Sequence, residues 1–98
     1  MIVRIVKMTF REDEIENFKR VFEDSKSAIR SFPGVQYLEM LQDVNNPATF
    51  FTYSNWESEV ELENYRHSEL FKNTWAKTKP LFDKPAEAWS SDRLHRLS

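Results

Sequence analysis

The sequence has no cysteine, one glycine and two histidines among its 98 residues. The lack of cysteine excludes disulfides, thiolate metal sites and a cysteine nucleophile, and suits a reducing compartment. A single glycine excludes phosphate-cradling loops of the G-x-G-x-x-G and G-x-x-x-x-G-K types. His67 and His95 are too few and too far apart for a histidine-based zinc site, so no metal is expected. No apolar run approaches the ~18–20 residues that span a bilayer. The opening stretch Met1–Lys7 is short and broken by Arg4, unlike a signal peptide. No membrane association and a cytoplasmic location are therefore expected. An excess of positive charge is also missing. Fourteen Lys and Arg against 16 Asp and Glu leave a net charge of −2, whereas a generic polyanion binder is basic, so a nucleic-acid partner is not expected.

What the sequence has in quantity is aromatic rings. Eight Phe, three Trp and three Tyr make up 14% of the chain. With 40% hydrophobic and 31% charged residues, the composition is that of a folded globular chain. Its length fits one domain over residues 1–98. A single small core has little room for so many large side chains. Some are expected to line a pocket, and others to be buried against a second copy of the chain.

Residues 2–8, I-V-R-I-V-K-M, read as a strand. Thr9 and Glu12 fit a capping box, and acidic residues follow in what would be the first helical turns. Ile15, Phe18, Phe22, Ser25, Ile29 and Phe32 recur at three- and four-residue steps, predicting an amphipathic helix that Pro33-Gly34 stops. A second strand is predicted over 35–44, with Val35, Tyr37, Glu39 and Leu41 on one face. Asn45-Asn46-Pro47 is a turn, and 48–56 a third strand. Phe51 and Tyr53 fall on one of its faces, Phe50 and Trp56 on the other. Ser58 with Glu61 predicts a second capping box and a short helix to Arg66. Ser68 caps a third helix, with Leu70, Phe71, Trp75, Thr78 and Phe82 inward. Residues 84–95 read as a last strand.

The order β-α-β-β-α(α)-β predicts an α+β fold: a ferredoxin-like antiparallel sheet with helices on one face. A one-sided sheet alternates apolar with polar residues. The third strand carries large groups on both sides, so the open face is expected to pack on a partner, making a homodimer.

Three stretches carry a resemblance: F-P-G-V at 32–35, N-N-P-A-T-F-F-T-Y-S-N-W-E at 45–57 and S-E-L-F-K at 68–72. In this order and spacing, across nearly the whole chain, they resemble the antibiotic-biosynthesis monooxygenase (ABM) family. Its members form dimeric α+β barrels from two ferredoxin-like sheets placed face to face. Many are cofactor-free oxygenases of quinols, anthrones and other electron-rich aromatics, and some degrade haem. The sequence departs from the family's pattern where histidines are usual. Those positions fall on Tyr65 and Leu70, with His67 nearby but out of register. The positions matching the haem-degrading branch fall on Lys7, Tyr65 and Trp75. With no axial histidine, haem ligation is not expected, and no cofactor is implied.

A cofactor-free oxygenase needs a dry apolar pocket, a base, and polar groups that hold the substrate anion near oxygen. Tyr65 is a candidate to hydrogen-bond a substrate oxygen, or else a boundary tyrosine with a wet hydroxyl. His67 is the mid-chain group with an ordinary pKa near neutrality, hence the candidate base, or else an exposed helix-end residue. Asn55 is a candidate to orient a carbonyl or dioxygen, or else a cap for the following helix. Tyr53 shares its face and joins the substrate-binding candidates. Trp75 is suited to stacking on an aromatic substrate, or else to core packing.

The expected function is a cofactor-independent monooxygenase acting on a quinol-like or polycyclic aromatic substrate. Its rival is a non-catalytic homodimer of the same fold that binds a small ligand. An RNA-recognition role fails on the third strand, which lacks the glycines and basic residue of that element.

Overall fold

Apolar, β-branched residues at the start of the chain form the central strand β1 (Ile2–Thr9). A 3-10 turn at Glu12–Glu14 leads into helix α1 (Ile15–Arg30), then β2 (Val35–Gln42), β3 (Thr49–Trp56), α2 (Glu59–Arg66), α3 (Glu69–Thr78) and the edge strand β4 (Glu87–Asp92). The computed structural model describes residues 1–98. The sheet runs β2-β3-β1-β4 with every neighbouring pair antiparallel. This is the ferredoxin-like arrangement the sequence predicts.

Registration sorts the side chains into two faces, because directly paired residues share a side. One face carries the rows Met40–Thr52–Val6–Ala88 and Leu38–Ser54–Arg4–Ser90, and the helices cover it. The opposite face carries the rows Leu41–Phe51–Lys7–Glu87 and Glu39–Tyr53–Ile5–Trp89. No helix packs over it; the segment after β4 reaches its Val3–Asn55 end through Arg93, while Tyr37, Leu41 and Trp89 on it are 45%, 46% and 47% exposed.

Three predicted details are corrected. Thr9 and Glu12 do not form a capping box. Thr9 is the last residue of β1, with its hydroxyl 3.4 Å from that of Thr49. The chain stays extended through Phe10 because that ring is drawn into the core, where it stacks on Phe18 at 4.0 Å between centroids. The helical turn begins only afterwards, without a side-chain cap. The alternation predicted for the second strand also breaks. A register shift between Val35 and Tyr37 puts Val35 against Trp56 and Leu62 on the helix side, while Tyr37 stays on the open side. The strands are also shorter than predicted: β2 ends at Gln42, and β4 begins at Glu87, after Pro85, which has no N–H to give a ladder.

The other punctuation holds. Ser58 accepts from the Val60 amide at 3.2 Å and bonds the Glu61 carboxylate. Ser68 accepts from the Phe71 amide at 3.1 Å. Gly34 ends the α1 connection at φ +93°, and a Cβ there would overlap Cβ and Cγ of Glu61. A left-handed backbone costs a residue with a Cβ about 1–2 kcal/mol, and 1 kcal/mol moves the melting point of a domain this size by about 4–8 °C. Gly34→Ala is therefore expected to melt at least about 4 °C lower by circular dichroism. An unchanged melting point would show that the turn tolerates a side chain.

Candidate functional site

The core falls into two clusters. Met8, Phe10, Phe18 and Phe50 fill one, and Val35, Trp56 and Leu62 the other. Between them lies a cavity of about 390 Å³, within the range of small-molecule sites. The reason for the space is legible in the edge strand. Where bulky groups would close the gap, the chain offers Ala88 on that strand and Ala86 just before it.

Each wall has a sequence origin. The sheet supplies Arg4, Val6, Thr52 and Ser54, the inward parity of β1 and β3. From α1 come Phe18, Phe22 and Ile29, the apolar stripe at three- and four-residue steps. The short α2 supplies Leu62, Tyr65 and Arg66, and α3 supplies Phe71, Thr74, Trp75 and Thr78. The rings touch in series. Tyr65 meets Trp56 at 5.0 Å and Phe71 at 5.2 Å, Phe71 stacks on Trp75 at 5.7 Å, and Trp75 meets Phe82 edge-on at 5.4 Å. Such packing holds each ring to one orientation.

Few polar groups enter this apolar volume. Ser54 is already engaged, since its hydroxyl accepts the Trp56 Nε1–H at 3.0 Å. Burial pushes the Tyr65 phenol up to about 12, because desolvation disfavours the phenolate. Near neutral pH it stays protonated and can donate a hydrogen bond, but it is no base. Arg4 donates from Nη1 to Ser90 Oγ at 3.0 Å. Its pKa lies below the ordinary guanidinium value, first through burial and then through repulsion from Arg66, with Glu63 opposing. Arg66 itself pairs with Glu63 at 2.8 Å.

The five residues singled out from the sequence do not come together. Tyr65 and Trp75 line the cavity. His67 does not; its side chain is 80% exposed, with Nε2 3.4 Å from a Glu63 carboxylate oxygen. Tyr53 and Asn55 lie on the opposite face of the sheet, where Arg93 donates to the Tyr53 hydroxyl at 2.8 Å and to Asn55 Oδ1 at 3.3 Å. Sequence reasoning passed over Arg4, Arg66 and Thr52. The available signal was Arg4 itself, a charge sharing the inward period-two positions of Val6 and Met8.

No group of three or more histidines and carboxylates is placed to hold a metal ion. The cavity walls contain no histidine, carboxylate or cysteine, so they offer haem iron none of those axial donors. No helix is long and apolar enough to cross a membrane.

A ferredoxin-like α+β domain with an aromatic cavity between sheet and helices is thus the class of protein that the fold and site define. The family model described as antibiotic biosynthesis monooxygenase matches residues 1–77, and the chain belongs to that family. Among solved structures it is similar to an antibiotic biosynthesis monooxygenase, with TM-score 0.91 and 14% identity over 97% of this chain and 100% of the other. A putative antibiotic biosynthesis monooxygenase from Nitrosomonas europaea aligns with TM-score 0.90 and 18% identity over 97% and 100% of the two chains. Rv0793 from Mycobacterium tuberculosis aligns with TM-score 0.90 and 15% identity over 99% and 98%. At these identities the likeness establishes the fold. No curated protein matches the sequence.

Proposed function

We propose that this chain is a homodimeric, cofactor-independent monooxygenase that takes a quinol-like or polycyclic aromatic substrate into the cavity beside Tyr65 and Trp75. The observation that supports this reading is the cavity: about 390 Å³ walled by Trp56, Tyr65, Phe71 and Trp75, with the Tyr65 hydroxyl held protonated. In this reading Trp75 and Phe71 orient the flat ring, and Tyr65 donates to a substrate oxygen. The chemistry balances without a protein redox group. A 1,4-dihydroxyarene and dioxygen give a hydroxyquinone and one water, with all four electrons coming from the substrate. The protein contributes orientation and a dry, preorganised field. His67 takes no part in this version, and Tyr53 and Asn55 belong to the contact between subunits.

One observation favours the rival reading, a homodimer that binds a ligand without turnover. No cavity wall residue is a histidine, lysine or carboxylate, so no side chain there is a base near neutral pH. Catalysis in this cavity would require a substrate whose own hydroxyl ionises when bound. Oxygen-electrode assays with 1,4-dihydroxynaphthalene separate the two readings. Enzyme-dependent oxygen uptake is expected, with kcat/KM falling at least about tenfold in Tyr65→Phe. Binding seen by tryptophan fluorescence, without oxygen uptake above autoxidation, would establish the rival instead.

A further inference from the structure

We propose that the ligand of this cavity is an aromatic carboxylate, its ring between the aromatic walls and its carboxylate on the guanidinium of Arg4, with Arg66 flanking. This rests on the reading of the cavity as a small-molecule site and names the class of molecule it selects.

Arg4 is half-buried on the inward face of a central strand, and it and Arg66 are the two charged residues that line a mostly apolar cavity. A guanidinium partly withdrawn from water gains from a partner of opposite sign. Arg66 has its carboxylate, Glu63, at 2.8 Å. Arg4 has none in contact, and its side chain is held by a neutral hydroxyl, Ser90 Oγ at 3.0 Å. Ser90 occupies one arm of the guanidinium and fixes the side chain's direction. The rest of the fork is available to a ligand, and the second cation beside it adds to the positive potential that Glu63 only partly offsets. An arginine fork matches the two oxygens of a carboxylate better than it matches a single oxygen. The cavity's size and flat, stacked walls require the remainder of the ligand to be a ring system. A quinol carrying a ring carboxylate would satisfy both halves of the site, and the same positive potential would favour ionisation of its hydroxyl where no side-chain base is present.

The test compares 2-naphthoate with its neutral isostere 2-naphthamide, neither of which is an oxidisable quinol, so binding is read apart from turnover. By isothermal titration calorimetry at low salt, the wild-type protein is expected to bind the acid at least about tenfold more tightly than the amide, about 1.4 kcal/mol. Arg4→Met should remove that preference by weakening the acid more than the amide, and Arg66→Met should reduce it. Equal binding of acid and amide by the wild-type protein, or tighter binding of the amide, would overturn the carboxylate assignment and leave the aromatic site intact. Failure of both compounds, and of 1,4-dihydroxynaphthalene, to bind would overturn the site itself. The wild-type comparison decides the matter even where the Arg4 variant does not fold.

Discussion

Phe10→Ala is expected to lower the stability of the domain by about 3–5 kcal/mol. Phe10 is 2% exposed. Its ring stacks on Phe18 at 4.0 Å, meets Phe82 at 5.2 Å and meets Phe50 edge-on at 5.8 Å, so its removal leaves Phe18 and Phe50, themselves 5.1 Å apart, without the ring that also touches Phe82 after α3. Its backbone amide also ties the end of β1 to Ala48 at 2.9 Å. Small domains have about 5–15 kcal/mol in total, so about a fifth or more of the stability rests on this ring. Urea unfolding should show the midpoint fall with an unchanged slope, and the melting point should drop by at least about 12 °C. Val44→Ala, at a site 93% exposed, serves as the control, with a change within about 0.5 kcal/mol. A loss below about 1 kcal/mol for Phe10→Ala would mean the core closes over the gap and does not depend on the ring.

The same residue marks where the sequence stops being legible. Element order followed from periodicity: the three- and four-residue stripe of α1, the Pro33-Gly34 stop, and the serine caps at 58 and 68 are local signals, and each held. The capping box at Thr9 and Glu12 satisfied an equally good local rule and failed, because tertiary burial of Phe10 outweighed two capping hydrogen bonds. The shift near Gln36 was hidden for a related reason. A bulge is decided by what the neighbouring strand offers, here the Trp56 pocket that Val35 fills, and the strand's own alternation carries no trace of it. The site was half legible. Tyr65 and Trp75 are named by their chemistry and do face the cavity. Tyr53 and Asn55 share the chemistry but fall on the far side of the sheet, since one residue of register exchanges the faces. The cavity itself comes from what is small, Ala88 on the edge strand and Ala86 just before it, and small residues draw no attention in a search for reactive ones.

The open face of the sheet carries the last expectation: the protein in solution has twice the 11.8 kDa mass of one chain, and Leu41→Glu/Trp89→Glu reduces it to one. Leu41 and Phe51 in one row, and Tyr53, Ile5 and Trp89 in the next, form an apolar stretch across β2, β3, β1 and β4, edged by Lys7, Glu87 and Glu39, with no helix above it. An apolar surface of this extent on an isolated chain is a contact site awaiting a cover. A second copy supplies one by symmetry, since each face offers the other the same rows. Leu41 and Trp89 lie on the two edge strands and are already 46% and 47% exposed in the single chain, so glutamates there cost the monomer little. In the dimer they bury four unpaired carboxylates, which weakens association at least about a hundredfold. Light scattering at micromolar concentration should show the mass halve while the melting curve of the dissociated variant remains cooperative. A wild-type chain that is monomeric under the same conditions would mean that Trp89 and its neighbours face water, and that the cavity on the other side is complete within one subunit.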